Sequence, residues 1–121
     1  MNDEEVEESS SVDDKVLYRY FNPLVINRGF MERYGLCGAA VLAYLISAEE
    51  RTLRKSLGSW FSVFKKELLE EIGLQEDEQE QALHERLEKQ GVISFRKEEK
   101  EWVVKIKHME LSTQMKLKMS I

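Results

Sequence analysis

With 121 residues, 42% of them apolar and 34% charged, the chain has the length of one domain and enough apolar side chains for a real core. No apolar run approaches the roughly 20 residues of a membrane-spanning helix, and the acidic start is unlike a signal or transit peptide. The single cysteine, Cys37, excludes an internal disulfide and fits a reducing, cytoplasmic setting.

The net charge of −5 is unevenly spread. Residues 1–14 hold seven acids (Asp3, Glu4, Glu5, Glu7, Glu8, Asp13 and Asp14) and no base, so the rest of the chain carries +2. Like charges repel and such a block buries little area, which makes 1–14 a disordered acidic tail, or a tether that competes with nucleic acid for a basic surface. Residues 15–21, KVLYRYF, read as a short strand or extended lead-in. Asn22-Pro23 is a helix start, and a helix is predicted over 23–34, ended by Gly35. Gly29 inside it costs about 1 kcal/mol against alanine.

A second helix is predicted over 37–50, with Val41, Leu42, Leu45 and Ile46 on one face. Gly38, Ala39, Ala40 and Ala43 leave room for a close neighbour, and Cys37 is expected to pack in the interior. A basic loop with Arg51, Arg54 and Lys55 leads to a short strand over 60–63, with Trp60 expected in the core. The next helix, 65–72, opens with Lys65 and Lys66 and should bury Leu68, Leu69 and Ile72. After a turn at Gly73-Leu74, a helix over 76–90 should bury Ala82, Leu83 and Leu87 and stop at Gly91.

VISFRK and EWVVKIKH then form a hairpin around Glu98-Glu99-Lys100. Val92 or Ile93, Phe95, Trp102, Val104 and Ile106 point inward; Arg96, Lys105 and Lys107 point out. From 109 onward every odd position except Thr113 is apolar, a period of two that predicts a C-terminal strand over 109–121. The phase slips after Ile106, which places a bulge or turn near His108. Such a strand either extends the chain's own sheet or pairs with a second copy through Leu111, Met115, Leu117 and Met119.

The expected layout is therefore an acidic tail (1–14), an α+β domain (15–108) and an amphipathic strand (109–121). Two helices, a short strand, a helix-turn-helix and a hairpin are the order of a winged helix. The chain carries Leu42-Ala43-Tyr44-Leu45, Trp60-Phe61 with Val63, Leu68, Gly73-Leu74, Gln79, Ala82, Leu87 and Gly91-Val92-Ile93. In these residues, over about 22–106, it resembles the winged-helix domains at the N-terminus of phage and plasmid replication initiators and replisome-organiser proteins of Gram-positive bacteria. The resemblance implies duplex DNA binding, with the second helix of the motif in the major groove and the wing on the backbone. This chain departs from the pattern: Phe64 and Gln75 stand where hydroxyl caps are usual. It also stops where an initiator would continue into further domains.

The larger departure is charge. The helix over 76–90 carries Glu76, Asp77, Glu78, Glu80, Glu85 and Glu88 against Arg86 and Lys89, a net −4. First-turn carboxylates stabilise the helix end, and Glu85 with Lys89 adds an i,i+4 pair, but carboxylates oppose phosphate contact. Two readings stand. A small phage- or plasmid-type protein of replication initiation or transcription control would touch DNA through Arg51, Arg54, Lys55, Lys65, Lys66, Gln75, Gln81, His84, Arg96, Lys97 and Lys100. A protein-interaction module with the same fold would instead offer Asp77, Glu78, Glu80, Glu85 and Glu88 to a basic partner. Catalysis is not expected: His84, His108 and Cys37 make no zinc pattern, and no phosphate loop or nucleophile motif appears, so no cofactor is expected either.

Overall fold

A computed structural model describes residues 24–119, with side chains described through 116; the acidic tail, the 15–21 segment and Asn22-Pro23 lie outside the described residues. Element α1 is Arg28–Leu53. Its cap is Asn27, whose Oδ1 accepts from the Gly29 and Phe30 N–H groups, so the helix begins several residues later than the Asn22-Pro23 signal suggests. At Gly35 the backbone leaves the helical region (φ 76°, ψ 169°), a conformation that glycine tolerates without Cβ strain. The expected helix pair is thus one kinked element, bent where the sequence placed a stop.

Strand β1 (Phe61–Phe64) is followed by α2 (Lys65–Ile72). Next comes an acidic helix, α3, that is α-helical over Glu76–Gln81 and continues as a wider π-helical stretch, Ala82–Glu88. The Lys89 N–H bonds the His84 carbonyl and the Val92 N–H that of Leu87, each five residues back. A regular α-helix was expected here; widened turns are rare and concentrate at functional positions. Strands β2 (Ile93–Lys97) and β3 (Glu101–Ile106) form the predicted hairpin. The sheet is antiparallel throughout, ordered β1-β3-β2. This α+β arrangement is compatible with a winged helix.

The core gathers Val41, Leu42 and Leu45 of α1, Phe61 and Val63 of β1, Leu68 of α2, Leu83 and Leu87 of the acidic helix, and Ile93, Trp102, Val104 and Ile106 of the hairpin. The small residues of α1 do what their size suggests: a Cβ on Gly38 would stand 2.8 Å from Arg86 Cβ, so the helices approach too closely there for any side chain. Other expectations need correction. Leu69 is exposed and Ile72 only half-buried, because the eight-residue α2 turns a single stripe inward. Cys37 is exposed, just past the kink that rotates it away from the core. Trp60 is 43% exposed, since it precedes β1 on the side opposite Phe61 and Val63.

The C-terminal segment is the main correction. It is a helix, α4 (His108–Met119), not a strand. Leu111, Gln114 and Met115 fall at i, i+3 and i+4, so one helical face is inward even though the odd-even pattern also fits a strand. Leu111 and Gln114 are buried and Met115 is half-buried against α1, where its Cε lies 2.6 Å from the place of a Cβ on Gly29. Buried in their own chain, Leu111 and Met115 offer no strand edge to a second copy; Leu117 and Met119 belong to the same helix. The phase slip near His108 marks the passage from β3 into α4.

Candidate functional site

α2 and α3 both begin without a hydroxyl cap, and in both the glutamate at the third helical position takes over. Glu67 Oε1 accepts from the Phe64 N–H (3.0 Å) and Glu78 Oε1 from the Gln75 N–H (2.8 Å). This glutamate half of a capping box satisfies the N-cap donor of each helix. Glu78 is thereby a structural acid as well as a surface charge.

The acidic helix is aimed by one buried side chain. Gln79 is 1% exposed. Its Nε2 donates to the Lys65 and Leu74 carbonyls (3.0 and 2.8 Å), and its Oε1 accepts from the Trp102 indole N–H (2.8 Å). A buried amide with every partner in place fixes orientation, because rotation of the helix would strand several polar groups at once. α2, the turn, the acidic helix and β3 are held at one point.

That aim places Asp77, Glu80, Gln81, His84 and Glu85 around a shallow open depression floored by Phe95 of β2. The carboxylates draw in neighbouring cations. Lys65 Nζ lies 3.0 Å from Glu76 Oε2 and also donates to the Glu99 carbonyl. Lys97 Nζ lies 3.1 Å from Glu80 and 3.6 Å from Glu76. Lys89 pairs with Glu85 at 3.1 Å, and His84 Nδ1 sits 2.8 Å from Glu88. The Lys65 hydrogen bond holds the Glu76 carboxyl below the ordinary carboxylate value, Lys89 does the same for Glu85, and Glu80 holds the Lys97 ammonium above its ordinary value.

The residues expected to contact DNA are therefore dispersed. Lys65 and Lys97 are turned onto the acidic helix. Gln75 is at its N-cap; Gln81 and His84 line the acidic depression. Arg51 sits at the far end of α1 with its guanidinium 5.7 Å from the Tyr44 ring centroid, and Arg54 and Lys55 follow it, exposed. Arg96 lies on the opposite side of the sheet, 5.2 Å from the Trp60 ring centroid. Lys66 and Lys100 are exposed. The expected acidic set fares differently: Asp77, Glu80 and Glu85 share one depression, with Glu88 beside them through His84, while Glu78 is committed to its cap. Phe95 as the floor was legible only as an inward strand residue.

A second polar cluster was not anticipated. Glu49 of α1, 1% exposed, accepts from the Gly58 N–H (2.7 Å) and lies 2.8 Å from His108 Nε2. It joins α1, the loop before β1 and the start of α4. Among the described residues no group of three or more His, Cys, Asp or Glu side chains could hold a metal ion, and no helix is long and apolar enough to cross a membrane. No family model matches the chain, and comparison with curated proteins and with solved structures gives no match either.

Proposed function

We propose that the chain is a winged-helix interaction module whose acidic helix, with Phe95 at its base, receives a lysine- or arginine-rich protein segment carrying an apolar side chain. The observation that carries this reading is the fate of the nearest cations: Lys65 and Lys97 turn onto Glu76 and Glu80. The Lys97–Glu80 pair is exposed and worth only about 0.2–1 kcal/mol, whereas Lys65, its side chain 11% exposed, is held as well by the Glu99 carbonyl and the Trp102 ring. Sign decides instead. The helix itself is net −4, and counting Lys65 and Lys97 leaves −2 where a groove-reading helix would meet phosphates. A basic segment would gain from the same field, and Phe95 supplies the apolar anchor that fixes register.

The resemblance to replication-initiator domains supports the DNA-associated reading, with Arg51, Arg54, Lys55, Lys66 and Lys100 exposed for phosphate contact. The two readings separate in one experiment. Amide NMR shifts of the labelled protein are followed against a lysine-leucine dodecapeptide and against random-sequence duplex DNA. The peptide is expected to move Glu80, His84, Glu85 and Phe95, and Glu80→Lys with Glu85→Lys to abolish that response. Duplex DNA moving those same amides at physiological salt would overturn the proposal.

A further inference from the structure

The register of the sheet sorts its side chains into two faces. Val63, Trp102 and Val104 turn to the core. Ser62 stands opposite Val103, and Val103 opposite Arg96, so these three turn outward, with Lys105 paired to Ser94 on the same side. Phe64, opposite Glu101, continues the outward series and is 54% exposed. Trp60 belongs to it too, because the outward Arg96 lies 5.2 Å from its ring centroid. Lys107 extends the row beyond Lys105, its backbone N–H still bonded to the Val92 carbonyl. The face thus presents two exposed aromatic rings and the cations Arg96, Lys105 and Lys107 against two acids at its hairpin end, Glu101 and Glu98 across from it. It is the reverse of the acidic helix, and nothing in the reading above uses it.

Exposed aromatic rings beside cations on a sheet are what a single nucleic-acid strand requires: π-faces for bases and positive charge for the backbone. The availability of base faces narrows the class. Trp60 and Phe64 are four residues apart along extended chain, about 13 Å at roughly 3.3 Å per residue. Bases inside a duplex offer no free face to either ring, whereas an unpaired strand can turn separate bases onto both. The net positive sign of this face disfavours a basic peptide, which the acidic helix would attract. We propose that the outward face of the sheet binds single-stranded nucleic acid, with Trp60 and Phe64 stacking on bases and Arg96, Lys105 and Lys107 on phosphates.

The test uses the full chain and a fluorescein-labelled 20-nucleotide oligo-dT, read by anisotropy and by tryptophan emission. Binding at low salt is expected, weakening steeply as salt rises, with quenching of Trp60 while the buried Trp102 is untouched. Trp60→Ala should weaken binding roughly tenfold, Trp60→Phe should restore most of it, and Arg96→Glu with Lys105→Glu should abolish it. All three substituted residues are exposed, and circular dichroism would check that each variant is folded. Absence of binding at low salt overturns the proposal. So does binding indifferent to these variants, or a 20-base-pair duplex bound as tightly as the single strand. The Glu80→Lys, Glu85→Lys variant, which tests the acidic helix, should leave oligo-dT binding no weaker; a loss there would place the strand on the helix and also overturn it.

Discussion

At the scale of single residues, Gln79 and Trp102 matter more than any charge on the surface. Gln79→Ala would leave the buried Trp102 indole without its acceptor, remove a donor from the Lys65 and Leu74 carbonyls and open a void beside the core. Unsatisfied buried groups cost about 1–3 kcal/mol each and the void adds to that, so the variant should lose roughly 3 kcal/mol or more, read as a lower urea midpoint at unchanged slope. A loss under half that would mean the side chain is replaceable by water. Gln79 was visible beforehand only as part of a family pattern; its burial follows from a position one turn into a helix whose preceding turn folds back over β3. Cys37 and Trp60 show the converse. Each has interior chemistry, and each sits at an element boundary, where periodicity gives no direction.

At the scale of elements, the acidic helix and its partners set the response to pH. Glu76 and Glu85 titrate below the ordinary carboxylate value of 4.5 in the folded chain. Their contribution is therefore present above that value and disappears as pH falls through the folded one. Tyr44 behaves oppositely. Burial first, and its hydroxyl's hydrogen bond to Glu67 second, push it up from 10.0 to about 12. Its contribution is complete below pH 10 and is lost on rising toward 12; Tyr34, raised chiefly by burial, and Lys97, raised by Glu80, act in the same direction. The melting temperature should be level between these limits and fall outside them, and Tyr44→Phe should make the alkaline fall shallower. An alkaline limb unchanged in Tyr44→Phe would count against this assignment. The α2–turn–α3 succession and the hairpin were legible because their stops are glycine or the Glu98-Glu99-Lys100 turn. α4 was not: alternation at 109, 111, 115 and 117 also satisfies i, i+4 contacts, and docking through Gln114 to Tyr34 and Arg33 decided between the two periods. The acidic character of the candidate face was read directly from composition, whereas the capture of Lys65 and Lys97 depends on a tertiary approach that no local pattern encodes.

At the scale of the whole molecule, charge is partitioned by the sheet. The inward-packed acidic helix and the outward face carrying Arg96, Lys105 and Lys107 lie on opposite sides of β2 and β3. A net charge of zero over residues 24–119 therefore hides a separation of sign, and under the two proposals partners of opposite charge would meet different residues.

The docking of α4 has a consequence in time. Its hydrogen bonds join residues far apart along the chain: Arg33 and Tyr34 with Gln114, 81 and 80 positions apart, and Glu49 with His108, 59 apart. The hairpin and the α2–α3 pair close over short loops instead. Long loops are closed late and at greater entropic cost, and among the described side chains of α4 Leu111 is the one buried apolar group, with Met115 half-buried. It should join last on folding and open first from the native state, as a separate cooperative unit. Hydrogen exchange followed by mass spectrometry would show residues 108–116 exchanging well before 83–106; equal protection of both would tie α4 into the global unfolding event.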